Sequence, residues 1–148
     1  MAGKKSYGRE EDLNLKLVIG LSRSVQQVHR RSGERFKEAG LSLAQFAVLE
    51  ALYHKGEMSI REITRVILST PGNMTVVIRN LEREGLIATR TRPEDRRSTL
   101  AAITPLGAEK IRSLFPGHLR DLEEAFSSLS GTEKEVLLGL LKKLKADR

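Results

Sequence analysis

The hydrophobic period of this chain changes once, at Gly85, and that change constrains its middle more than any other feature. Upstream, Met74, Ile78 and Leu81 follow the i, i+4, i+7 spacing of a helix, with Val77 beside them. Downstream, Leu86 and Ala88 give way to Arg90 and Arg92, Pro93-Glu94-Asp95 makes a turn, and residues 98–103 form a second β-rich segment. A helix that stops at a glycine and continues into two short strands around a basic turn predicts a β-hairpin packed after the helix.

The segments before it are punctuated by caps. Ser42 with Gln45 and Ser59 with Glu62 are capping boxes, in which a serine and a side chain three residues later satisfy each other's backbone N–H groups. They predict helices over about residues 43–54 and 60–67, broken by Lys55-Gly56-Glu57. Phe46, Leu49, Leu52 and Tyr53 form the apolar face of the first. Thr70 can cap the next helix and Pro71 suits its first position. The middle block is therefore helix, helix, short turn, helix, hairpin: a winged helix-turn-helix.

Long helical patterns flank it. Leu13, Leu17, Val18, Leu21, Val25 and Val28 stripe a helix that Gly33 can bend and Gly40 closes. Thr104-Pro105 opens another, with Leu114, Phe115, Leu119, Leu122 and Phe126 on one side and a kink or break expected at Phe115-Pro116-Gly117. Ser130 with Glu133 caps a last helix striped by Val136, Leu137, Leu140, Leu141 and Leu144. These stripes fit either packing between two copies about a twofold axis or an intramolecular cap on the core; the first is the expectation. The predicted organisation is a disordered basic tail (1–9), an N-terminal dimerisation helix (10–40), a DNA-binding lobe (41–104) and C-terminal dimerisation helices (105–148).

Charge narrows the partner. Lys and Arg number 26 against 19 Asp and Glu, a formal net charge of +7 in 148 residues. Such a balance suits an anionic partner, nucleic acid first, although solubility alone also explains it. No apolar run approaches the ~20 residues of a membrane span, and the basic start has no apolar stretch behind it, so a cytoplasmic protein without membrane partners is expected. The chain has no cysteine, which excludes thiolate catalysis, cysteine-held metals and thiol redox sensing.

With its apolar side inward, the helix after the turn would leave Ser69, Thr70, Pro71, Gly72, Asn73, Thr75, Val76, Arg79 and Asn80 outward or at its start. Small, hydrogen-bonding and cationic side chains allow close approach to base edges and phosphates; Val76 can touch a thymine methyl and Arg79 a guanine or a phosphate. An ordinary capped surface helix has the same polarity. The hairpin adds Arg90, Arg92, Arg96 and Arg97 against Glu94 and Asp95. An arginine-rich turn fits a minor groove, whose negative potential attracts guanidinium groups. Asp95, two residues from Arg97, is expected to pair with its guanidinium and hold it in position. A solvated charge cluster is the alternative.

Taken together, Leu43-Ala44-Gln45-Phe46, Met74-Thr75, Leu81-Glu82-Arg83-Glu84-Gly85-Leu86-Ile87, Pro93-Glu94-Asp95-Arg96-Arg97 and Ile103-Thr104-Pro105-Leu106-Gly107 resemble the MarR family of transcriptional regulators over about residues 43–107. The resemblance implies a homodimeric winged-helix protein, usually a repressor, that binds palindromic duplex DNA and is released by a small anionic or phenolic ligand. It implies that the helix after Pro71 is the recognition helix and that Asp95 and Arg97 are the wing pair, Arg97 entering the minor groove. Pro116-Gly117 falls in the family's long fifth helix, and the missing cysteine removes the thiol-oxidation mechanism of one branch.

Nothing in the sequence points to catalysis. His29, His54 and His118 lie apart, without metal-ligand spacing, and His54 with Glu57 makes a poor pair; no metal and no cofactor are expected. No glycine-rich phosphate loop and no nucleophile elbow occur. An effector site is not assigned: Phe36, Phe46 and Tyr53 suit a core as well as a pocket, and Arg23 and Arg30 suit a solvated surface. The competing function is a dimeric winged-helix module for protein contacts, with no regulatory ligand.

Overall fold

The computed structural model describes residues 5–67 and 71–145. In chain order the elements are α1 (Arg9–Glu38), α2 (Leu43–Lys55), β1 (Met58–Ser59), α3 (Ile60–Val66), α4 (Pro71–Arg83), β2 (Ile87–Arg92), β3 (Asp95–Ile103), α5 (Pro105–Ala125) and α6 (Gly131–Lys145). The predominantly helical class with a small β wing is as expected. The described chain divides into two compact units, one spanning Gly33–Leu119 and the other the residues up to Ser32 and from Arg120 onward.

The three capping boxes form where the sequence places them, while the Thr70 cap lies outside the described residues. The Ser42 hydroxyl accepts from the Gln45 N–H at 3.1 Å, and the Ser42 N–H donates to Gln45 Oε1 at 2.8 Å. The Ser59–Glu62 box has the same two bonds at 3.2 and 2.8 Å, and so does Ser130–Glu133. After α4, Gly85 takes φ +73°, and the N–H groups of Gly85 and Leu86 return to the carbonyls of Glu82 and Leu81 at 2.9 and 3.0 Å. That left-handed turn favours glycine, because any Cβ would be strained there.

The sheet has strand order β1-β3-β2, all antiparallel. The sequence pattern predicts only the hairpin. Strand β1 has two residues, Met58 opposite Ala101 and Ser59 opposite Leu100, too few to show a period. Ser59 therefore pairs in the sheet and caps α3 at once. The second hairpin strand starts at Asp95, three residues earlier than the expected 98, because a register irregularity between Thr91 and Arg92 lets Arg92 face Asp95 across a tight turn.

The unit spanning 33–119 has a continuous core. Leu49, Leu52, Ile63, Met74, Leu81, Ile87 and Ile111 are almost wholly buried, and Phe36 stacks on Phe46 with ring centroids 3.8 Å apart. Each such side chain contributes about 1.5–3 kcal/mol on leaving water. The expected face of α2 is buried except for Tyr53, while Val48, off that stripe, is fully buried: α2 lies inside the unit rather than on its surface.

One expectation is corrected. Phe115-Pro116-Gly117 does not interrupt the fifth helix, which runs from Pro105 to Ala125. Proline removes the bond its nitrogen would give to the Arg112 carbonyl and crowds that carbonyl, at a cost of about 3 kcal/mol that the surrounding packing offsets. The flanking residues hold the helix in register: Phe115 lies 5.1 Å from the His54 ring, and His118 lies 5.0 Å from Phe46 and 5.3 Å from Phe36. Gly117 is buried, and a Cβ there would meet the Arg35 guanidinium.

In the other unit, Asp12 secures the start of α1 by accepting from the Tyr7 N–H at 3.1 Å and the Ser6 hydroxyl at 2.6 Å, within the stretch expected to fray. Arg31 and Glu124 form an exposed ion pair. The apolar stripes face water: Leu17 is 56% exposed, Val25 54%, Leu140 54% and Leu144 71%, and no residue of α6 is buried. Among the described residues, no helix is long and apolar enough to cross a membrane.

Candidate nucleic-acid interface

Helix α4 has the two sides its pattern predicts. Met74, Val77, Ile78 and Leu81 are buried; Gly72, Asn73, Thr75, Val76 and Arg79 are exposed. Asn80 is half-buried and its side-chain carbonyl accepts from Arg83 Nη2 at 2.7 Å, so it sits on the flank of the exposed face. Pro71 opens the helix. Ser69 and Thr70, expected on the same surface, lie outside the described residues.

The family-like motifs have a mechanical role at the junction of helix and wing. Glu82 Oε1 accepts from both the N–H and the hydroxyl of Thr89, at 3.2 and 2.6 Å, tying α4 to β2. The Thr104 hydroxyl donates to the Gly85 carbonyl at 2.7 Å and accepts from the Gly107 N–H at 3.1 Å. Gly107 leaves room for the Leu86 carbonyl, which a Cβ would strike. The end of α4, the start of β2 and the start of α5 are thus bonded into one junction, which fixes the angle between the exposed helix face and the hairpin.

At the hairpin tip Arg92, Pro93, Glu94, Asp95, Arg96 and Arg97 are all exposed. Asp95 does not hold the Arg97 guanidinium as expected: its Oδ1 accepts from the Arg97 backbone N–H at 3.0 Å. Two residues is the reach of an Asx turn, in which the short side chain satisfies a nearby backbone donor. Asp95 orients Arg97 through the main chain, and the Arg97 side chain is exposed.

Arg90, expected among the arginines facing nucleic acid, is instead engaged within the protein. Its Nε and Nη2 donate to Glu57 Oε2 and Oε1 at 3.0 and 2.6 Å, a two-point pair across 33 residues of sequence. The hydrogen bond from Arg90 holds the Glu57 carboxyl below its ordinary range, and Glu57 raises Arg90 in turn. Glu62 is lowered chiefly by the Ser59 N–H that it accepts.

Sequence reasoning missed two arginines. A cleft of 680 Å³ between α3 and the hairpin is walled by Arg61, Glu62 and Arg65 on one side and by Arg92, Asp95 and Arg97 on the other. Arg61 and Arg65 precede the turn and belong to no motif. The signal was their spacing of four, which puts both on one helix face.

The remaining candidates are placed more simply. Phe36 and Phe46 are core residues, and Tyr53 packs edge-on to His54 at the surface. His54 Nδ1 lies 2.9 Å from the Glu50 carbonyl. Among the described residues, no group of three or more His, Asp or Glu side chains could hold a metal ion.

Residues 41–99 match the model of the MarR family. The HTH-type transcriptional regulator MhqR of Bacillus subtilis is 37% identical over 131 residues, covering 88% of this chain and 90% of that protein. Among solved structures, BpsR of Bordetella bronchiseptica, whose DNA binding is regulated by 6-hydroxynicotinic acid, superposes with a TM-score of 0.80 at 25% identity, over 88% of this chain and 98% of its own. A cysteine-to-serine variant of MarR from Escherichia coli, complexed with operator DNA, gives 0.78 at 25% identity over 90% and 95%. A helix-turn-helix bonded rigidly to an arginine-tipped wing, with relatives of this kind along most of its length, is a regulator and not an enzyme: the chain belongs to the MarR family of winged helix-turn-helix transcriptional regulators.

Proposed function

We propose that the chain acts as a homodimeric repressor of palindromic operators, released by a small anionic or phenolic ligand. The observation that carries the DNA reading is the rigid junction of α4 and the wing. It presents the exposed face of Gly72, Asn73, Thr75, Val76 and Arg79 beside the exposed Arg92, Arg96 and Arg97. In this reading α4 enters a major groove, its N-terminal peptide dipoles facing phosphate, and Arg97 enters the adjoining minor groove. Ser69 and Thr70, just before α4, belong to the same proposed surface.

The exposed apolar stripes of α1 and α6 support the homodimer, since water-facing leucines at helical spacing gain by burial against a second copy. Two copies then set two recognition helices about one helical turn, ~34 Å, apart. The regulation described for BpsR, by an aromatic acid, supports a ligand of that kind here. A ligand acts by favouring one separation of the two helices over another.

The test is a gel-shift titration with random-sequence duplex DNA at low salt, followed by thermal-shift screening with salicylate-like anions. A mobility shift that weakens with salt is expected, together with a rise in melting temperature for a bound anion. No shift at low salt removes the DNA reading in favour of a protein-interaction module; no stabilising ligand removes only the effector.

A further inference from the structure

The arginines around the wing divide by what the neighbouring acids do. Glu57 takes up the Arg90 guanidinium in a two-point pair, so that site is neutralised within the protein. In the cleft between α3 and β3 each acid gives one oxygen to the backbone and none to a guanidinium. Glu62 Oε2 accepts from the Ser59 N–H at 2.8 Å and its hydroxyl at 2.9 Å, holding the cap of α3. Asp95 Oδ1 accepts from the Arg97 N–H. Among the described residues, the side chains of Arg61, Arg65, Arg92 and Arg97 make no hydrogen bond or ion pair within 4 Å, and Arg92 and Arg65 act on the Glu62 carboxyl through charge alone. Four guanidinium groups line one cleft of 680 Å³ with two carboxylates, Glu62 and Asp95, each of which gives one oxygen to a backbone N–H.

The four guanidinium charges exceed the two carboxylate charges, so the cleft attracts an anion, and guanidinium groups bind phosphate oxygens in a planar two-point geometry. We propose that Arg61 and Arg65 grip a phosphodiester of the DNA strand bordering the groove that Arg97 enters, so that the DNA footprint extends from the wing onto α3. This inference rests on the DNA-binding reading above and adds to it two phosphate-gripping side chains on a helix that neither the recognition surface nor the wing includes. DNA is favoured over a small free anion because Arg92 and Arg97 continue the cleft onto the exposed hairpin tip, giving a path rather than an enclosed seat.

The experiment measures binding of the full chain to a random-sequence duplex between about 50 and 200 mM salt. Each phosphate neutralised contributes about 0.9 to the slope of log affinity against log salt. The Arg61→Gln/Arg65→Gln double variant is expected to lower that slope by about 1 and to weaken binding roughly fourfold at the upper end of that range. Arg61→Lys/Arg65→Lys keeps the charge and should keep most of the slope, which separates lost charge from lost fold; melting curves of both variants check the fold directly. If the wild type binds, Arg97→Ala lowers the slope and the glutamine pair leaves it unchanged, the α3 grip is refuted and the wing stands. If the wild type does not bind duplex, both readings fall. If inorganic phosphate at constant ionic strength stabilises the wild type but not the glutamine pair, while the DNA slope is unchanged, the cleft is a small-anion site and the proposal is overturned.

Discussion

The lobe from Gly33 to Leu119 and the helices outside it carry equally regular apolar patterns, yet only the lobe buries them. On α4, Met74, Ile78 and Leu81 are buried at helical spacing; on α6, Val136, Leu140 and Leu144 keep the same kind of spacing in water. An amphipathic stripe specifies that a face must be covered, not which chain covers it. The lobe closes its core with its own strands and helices, whereas the stripes of α1 and α6 call for a second copy in the proposed dimer.

The largest effects test that contrast. Leu81→Ala empties a fully buried site and should cost about 2–5 kcal/mol in urea unfolding, at any protein concentration. Leu140→Glu with Leu144→Glu should halve the sedimenting mass and abolish the concentration dependence of the melting temperature, with little change in helix content. An unchanged mass would break the comparison, since α6 would then not be the dimer surface.

Within the lobe, the wing and α4 should fail differently. Arg97→Ala should weaken binding to every duplex and lower the salt slope by about 1. Asn73→Ala or Thr75→Ala should instead alter sequence preference, by about 1–3 kcal/mol for each base no longer read. Operator selectivity that survives both changes would move the reading surface off α4.

The smallest effect concerns the Glu57–Arg90 pair. Folding lowers the Glu57 carboxyl through its hydrogen bond with Arg90, so the pair stabilises the fold above the ordinary glutamate value of 4.5 and is lost as pH falls through the lower folded value. Glu57→Gln should therefore lose less melting temperature than the wild type on acidification below 4.5. Equal losses would show that the pair does not anchor the wing.

Much of the lobe was legible because its information is local. Capping boxes at Ser42 and Ser59, the stop at Gly85 and the alternation after it each depend on residues within a few positions, and each forms as the pattern implies. What escaped depends on distant partners. Strand β1 exists because Met58 meets Ala101, and Arg90 leaves the arginine cluster because Glu57 lies across the fold from it. The continuity of α5 through Pro116 depends on rings from α1 and α2 that hold Phe115 and His118. Asp95 and Arg97 show an intermediate case: spacing revealed that they meet, but whether the carboxylate takes the guanidinium or the amide is a matter of turn geometry.

Selection of binding sequences from a random duplex pool tests the central claim most directly, because dimerisation and docking must both be right to give one pattern. Recovered sites should contain two inverted half-sites whose centres lie about one helical turn, 10–10.5 base pairs, apart. Enrichment of a single unpaired half-site, or of no sequence at all, would contradict it.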